Sequence, residues 1–283
     1  MITQTTMTII KGSGGEKILI KYLIPDALKS TTPVVIMHGF KGFMNWGHFP
    51  LVAMQIAENG HPVVMFNFSH NGTAEYAPDQ FVKMKLFSEN TYSREVEDIG
   101  FVLNEIENSA FLKENGVNGS QVTLIGHSRG GGVAILKASQ DARVQKLITW
   151  AAVGSFGSFF GQNEDLLEEW KTKGVISTFN SRTQQEMPMK YDLYEDVLLN
   201  QDKLDVQKAA TQISIPWLII HGADDPTIPV DVAYQFHEIQ PNSELFIMEN
   251  AHHNFGGKHP LDETADMDQI QLLMQQTLNF IEK

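Results

Sequence analysis

The chain of 283 residues contains no cysteine, which excludes a disulfide framework and a thiol nucleophile and fits the reducing cytoplasm expected as its location. No apolar run approaches the ~20 residues needed to cross a bilayer. The first residues, Met1-Ile2-Thr3-Gln4-Thr5-Thr6, lack the basic segment and apolar core of an export signal. Positive charge is scarce, with 21 Lys and Arg against 34 Asp and Glu and a formal net charge of −13. Nucleic acid and anionic membranes both reward a basic face, so neither is expected as a partner. There is also no internal repeat, low-complexity run or Pro/Ser-rich linker, and one domain spanning 1–283 is expected.

What is present is an alternation of short apolar runs with amphipathic stretches. Thr6–Ile10 and Ile18–Ile24 flank Gly12-Ser13-Gly14-Gly15 and read as an antiparallel hairpin. After it, Pro33–Met37, Pro62–Phe66, Val122–Ile125, Lys146–Ala152, Pro216–Ile220 and Glu244–Met248 are nearly continuous apolar runs, the pattern of strands covered on both faces. Between them, Phe49–Glu58, Ser93–Glu107, Val232–Ile239 and Ala265–Ile281 carry helical periodicity. The order predicts an α/β fold with a mainly parallel sheet, an antiparallel N-terminal edge and helices on both faces. The interval 154–213 breaks the rhythm. It holds no clear buried strand, a helical Asn163–Lys171, and Met187, Pro188, Met189, Tyr191 and Tyr194. An excursion of this size leaving the sheet near a strand end is expected to be a short helical lid rather than a structural insert.

The chemistry centres on Gly126-His127-Ser128-Arg129-Gly130, between a strand and a helix. A serine at such a turn exposes its hydroxyl above the sheet, and the strained backbone requires very small neighbours two residues away on each side. The bland reading is a glycine-rich turn whose serine caps the next helix. A serine hydroxyl needs a base to take its proton and a carboxylate to orient that base. The loop after Ile220, His221-Gly222-Ala223-Asp224-Asp225-Pro226-Thr227-Ile228-Pro229, offers two carboxylates at the rim where Ser128 sits. Asp224 is alternatively a turn residue bonding its own backbone. The loop after Met248 offers His252 and His253, of which His253 is favoured. No third ligand stands at a metal-binding spacing, so no metal is expected, and His259 reads as surface. Donors for a developing oxyanion are expected from the backbone N–H of Arg129 and, in His38-Gly39-Phe40-Lys41-Gly42, of Phe40. The His38 side chain reads as a tie for that loop.

These segments resemble an α/β-hydrolase over nearly the whole chain. In that family the acid loop runs His-Gly-x-x-Asp-x-x-x-Pro, which implies Asp225 with Pro229, and the histidine precedes a residue and then Phe, which implies His253 before Asn254-Phe255. The chain is most similar to bacterial carboxylesterases of the feruloyl or cinnamoyl esterase type, whose short lid occupies the same interval. It departs from many of them in carrying Asn67, where they have Asp, and in lacking a Gly-x-Gly after it. The resemblance implies a serine esterase of small carboxylic esters, with catalytic Ser128, Asp225 and His253 and no cofactor. A peptidase, thioesterase or acyltransferase would use the same triad, and a non-catalytic binding protein is the reading from another class. Phe43, Met44 and Trp46, with Phe156, Phe159, Phe160 and Met189 of the interval, are candidates for an apolar substrate pocket, ordinary packing being the alternative for each.

Overall fold

The computed structural model describes residues 2–157 and 163–283. The chain opens with β1 (Ile2–Lys11) and β2 (Lys17–Pro25), paired antiparallel as a hairpin. Then come β3 (Val34–Met37), α1 (Phe49–Glu58), β4 (Val63–Asn67), the short α2 (Met84–Ser88), α3 (Tyr92–Asn108) and the short α4 (Ala110–Glu114). Next are β5 (Val122–His127), α5 (Arg129–Ala138) and β6 (Val144–Trp150). The interval after β6 holds α6 (Glu164–Lys173), β7 (Val175–Asn180), β8 (Gln185–Lys190), α7 (Asp192–Leu199) and α8 (Val206–Thr211). The chain returns through β9 (Trp217–Gly222), α9 (Asp231–Ile239), β10 (Glu244–Met248) and α10 (Met267–Ile281).

Eight strands form one sheet in the order β1-β2-β4-β3-β5-β6-β9-β10. The pairs β1–β2 and β2–β4 are antiparallel, and every pair from β4 to β10 is parallel. Helices α1 and α10 pack together on one face, while α3, α5, α8 and α9 form a connected layer on the other. This cover explains why β3, β4, β5 and β9 are buried along their whole length and read as unbroken apolar runs. Capping sets the helix starts: Thr91 Oγ1 accepts from the Arg94 N–H at α3, and Asp266 Oδ1 accepts from the Gln269 N–H at α10.

The order has one reversal that matters. From β3 the chain builds outward to β4, then crosses back to lay β5 on the other side of β3. The carboxyl ends of β3 and β5 therefore flank a switch point, where a crevice opens in α/β sheets. One expectation needed revision. The 154–213 interval is helical in part, but β7 and β8 also form a separate antiparallel hairpin there. It lies outside the main sheet, so its strands are not buried on both faces and give no continuous apolar run.

Candidate active site

Strand β5 ends at His127 and α5 begins at Arg129, which leaves one residue to make the reversal. Ser128 does so with φ 57° and ψ −119°, a conformation costly for any residue with a Cβ. Its backbone is pinned on both sides. The N–H donates to the Trp150 carbonyl at 2.9 Å, and its carbonyl accepts from Gly131 at 3.0 Å and Val153 at 3.1 Å. The hydroxyl makes no capping bond to α5, which removes the helix-cap reading of this serine. The small neighbours are required by space: a Cβ on Gly126 would stand 2.3 Å from the Gly130 carbonyl oxygen, and one on Gly130 would stand 2.5 Å from that of His38.

The loops after β9 and β10 bring Asp225 and His253 together. His253 Nδ1 lies 2.7 Å from Asp225 Oδ2. A carboxylate only accepts, so Nδ1 carries the proton and Nε2 is left as an acceptor. The carboxylate is fully covered, and its other oxygen accepts from the Thr227 and Ile228 N–H groups at 2.8 and 3.0 Å. His221 Nε2, which donates to the Ile228 carbonyl, stands 3.4 Å from the same Oδ2 as His253. Burial alone would push this acid up. The hydrogen bonds from His221 and His253 outweigh it and hold Asp225 well below the usual carboxylate range. Asp224 is exposed, and its backbone carbonyl accepts from His252 Nδ1 at 2.7 Å. Those two residues tie the loops together outside the Asp225–His253 pair.

His127, which sequence reasoning passed over, fixes the imidazole from below. Its Nε2 donates to the His253 carbonyl at 2.9 Å, and the rings lie 4.8 Å apart. Burial above all drives His127 well below the ordinary histidine range, so its ring is neutral.

The loop after β3 approaches the serine from the opposite side. A Cβ on Gly39 would come within 2.9 Å of Ser128 Cβ, so only glycine lets this backbone lie against the serine. His38 ties the loop down, as expected: Nδ1 donates to the Gly39 carbonyl at 2.9 Å, and Nε2 faces the Asn71 amide at 3.4 Å. Phe40 and Arg129, the two candidate oxyanion donors, are also joined through their side chains. The buried Arg129 guanidinium sits 4.2 Å from the centre of the Phe40 ring and 4.8 Å from that of Tyr92, and it pairs with the buried Glu95 at 3.2 Å. The Asn67 departure has a local reason. Its Oδ1 accepts from the Met44 N–H at 2.7 Å while its Nδ2 donates to Thr73 Oγ1 and the Pro78 carbonyl. Aspartate supplies no donor for the second task.

Ser128 and His253 border one cavity of about 450 Å³, together with Gly39, Phe40 and Trp46. Of the expected apolar pocket, Trp46 lines this space. Phe43, Phe156 and Met189 do not: Phe43 packs on Phe81 and His259, Phe156 stacks on Tyr92 at 4.1 Å, and the Met189 carbonyl accepts from Trp170 Nε1. All three belong to the core. Met44 is buried there too, and Phe159 and Phe160 lie outside the described residues. His259 is not a plain surface residue, since it accepts from the Gly47 N–H at 3.0 Å and stacks on Trp46. The tip of the β7–β8 hairpin also lines the cavity, contributing Phe179, Asn180 and Arg182. A second cavity of about 700 Å³ shares Thr227 with the first and is lined by Val153, Ile228, Pro229 and Val232. No group of three metal-ligating side chains occurs among the described residues, and no helix among them is long and apolar enough to cross a membrane.

Solved structures share the arrangement of the whole chain. Est1E from Butyrivibrio proteoclasticus, also solved with ferulic acid bound, is 17% identical, with a TM-score of 0.70 over 98% of this chain and 99% of that one. A complex of DcsB with its substrate analogue is 15% identical, with a TM-score of 0.74 over 99% of both chains. Pyrococcus horikoshii acylaminoacyl peptidase is 16% identical, with a TM-score of 0.69, and covers all of this chain with 42% of its own. No curated protein matches. The model of the alpha/beta hydrolase family matches residues 34–267, a span that runs from β3 through the elbow and both partner loops, and the chain belongs to that family.

Proposed function

We propose that the protein is a serine hydrolase that cleaves small carboxylic esters through an acyl-enzyme, with Ser128, His253 and Asp225 as its triad. The observation that carries this reading is the 2.7 Å Asp225–His253 bond at the rim of the cavity into which the strained Ser128 elbow opens. Ser128 Oγ attacks the ester carbonyl while His253 Nε2 takes its proton, and Asp225 holds the imidazole in the required tautomer and stabilises the imidazolium. The oxyanion is received by the N–H groups of Arg129, at the start of α5, and Phe40. His253 returns the proton to the departing alcohol. Water, deprotonated by His253, then attacks the acyl-enzyme and releases the acid and Ser128. No step needs a cofactor. Within this reading the 154–213 interval is a lid, since its hairpin tip closes one wall of the cavity.

The triad does not choose the leaving group. A series of p-nitrophenyl acyl esters set against aminoacyl-p-nitroanilides tests the ester assignment: esters should be turned over with the higher kcat/KM. Preferential release of nitroaniline would make the protein a peptidase.

A further inference from the structure

One wall of the Ser128 cavity is cationic in a strongly acidic protein. Lys41, next to Phe40, and Arg182, in the β7–β8 turn, both line it. Neither has a carboxylate within 4.0 Å among the described residues, although the chain carries a net charge of −13. Part of their bonding is structural. Lys41 Nζ donates to Thr178 Oγ1 at 2.8 Å and to the Phe179 carbonyl at 3.0 Å, and Arg182 Nη2 donates to the Lys41 carbonyl at 2.9 Å. These bonds clamp the hairpin to the loop after β3, and the Arg182 guanidinium lies 5.8 Å from the centre of the Trp46 ring.

The clamp leaves donors over. Asn180, only 5% exposed, gives its Oδ1 to the Arg182 N–H, while its Nδ2 is buried without a partner. Arg182 Nε is likewise buried and unpartnered. Buried donors are normally satisfied, and two orphaned ones in neighbouring residues of this wall point to a missing acceptor. Burial lowers the pKa of both Lys41 and Arg182; the Arg182 charge lowers that of Lys41 further and the more distant Glu186 offsets it in part, so an anion between the two cations would relieve both. The rigid fork of a guanidinium matches the two oxygens of a carboxylate.

We propose that this wall is a carboxylate subsite, formed by Arg182, Asn180 and Lys41, and that the substrates are acidic esters whose part remote from the scissile bond ends in a carboxylate. The proposal rests on the serine-hydrolase reading and narrows its substrate class.

Matched esters test it. One pair is monomethyl adipate and the methyl ester of adipic monoamide, with the charge on the acyl side; the other is the acetate ester of hydroxyhexanoate and that of hydroxyhexanamide, with the charge on the alcohol side. In at least one pair the charged member should be favoured by about tenfold or more in kcat/KM, the worth of one charge-assisted hydrogen bond, chiefly through KM. Arg182→Gln should bring that ratio close to one, and Arg182→Lys should keep part of it. If Arg182→Gln does not fold, Asn180→Ala must lower the ratio on its own. Ratios near one in both pairs, or a preference that survives Arg182→Gln, overturn the subsite, and faster hydrolysis of a phosphate-terminated counterpart overturns the choice of carboxylate. Labelling of Ser128 by a neutral fluorophosphonate separates the two levels: labelling without charge preference defeats the subsite alone, whereas absent labelling defeats the hydrolase reading as well.

Discussion

Two adjacent aspartates and two adjacent histidines present the same choice, and the geometry separates them by partner. Asp225 is buried and bonds His253, whereas Asp224 is exposed and gives only its backbone carbonyl to His252. Asp225→Asn should therefore cut kcat/KM by about 10³–10⁴-fold, because an amide holds the imidazole in the wrong tautomer, while Asp224→Asn should stay within about threefold of wild type, as exposed substitutions generally do. Ester kinetics on the two variants check this, and a reversed ranking would reassign the acid. His127 makes a second prediction. His127→Leu deletes the donor to the His253 carbonyl, so urea unfolding should show a loss of about 1–3 kcal/mol. The Ser128 turn and the Asp225–His253 pair were legible because each stands in a loop whose neighbours repeat a family pattern. The cavity walls were not, since whether Phe43 or Lys41 faces a ligand depends on loop packing that no periodicity encodes.

At the scale of elements, the elbow tolerates no added atom at its base. Gly126→Ala should cost about 1–3 kcal/mol or more through overpacking, because the new methyl meets backbone rather than a movable side chain. Thermal unfolding would show it, and an unchanged midpoint would mean that β5 and α5 are held less tightly than described. The helices and strands of the main sheet were readable because burial on one face or both imposes a period. In β7 the residues Val175-Ile176-Ser177-Thr178-Phe179-Asn180 alternate in exposure, a strand signal, but β8 carries Pro188, which argues against a strand in a central sheet. A two-stranded hairpin has free edges on both sides, so the proline costs it little. The run Val-Ile-Ser-Thr-Phe was the signal available for this element.

The whole molecule buries several histidines, and this sets the direction of its acid response. Burial lowers His38, His48 and His70 to about 4 and His127 well below its ordinary value. Between about pH 4 and 6.5 the unfolded chain binds protons at these positions that the fold refuses, so their contribution is present above the ordinary histidine value and lost as pH falls. Asp98, raised to about 6 by burial, has the opposite sign: its contribution is present in acid and lost as pH rises through 6. Four histidines outweigh one aspartate. The unfolding free energy from urea titration should fall between pH 7 and pH 5, by about 1.4 kcal/mol per pH unit for each net proton taken up on unfolding; a free energy that rose would show these histidines to be charged in the fold.

Mass spectrometry of the intact protein after exposure to a fluorophosphonate probes the nucleophile most directly. Wild type should gain one adduct, mapped to the peptide containing Ser128, while Ser128→Ala should gain none and His253→Gln should label far more slowly. An adduct of equal yield on Ser128→Ala, or a folded wild type that stays unmodified, would contradict the assignment of Ser128 as the attacking group.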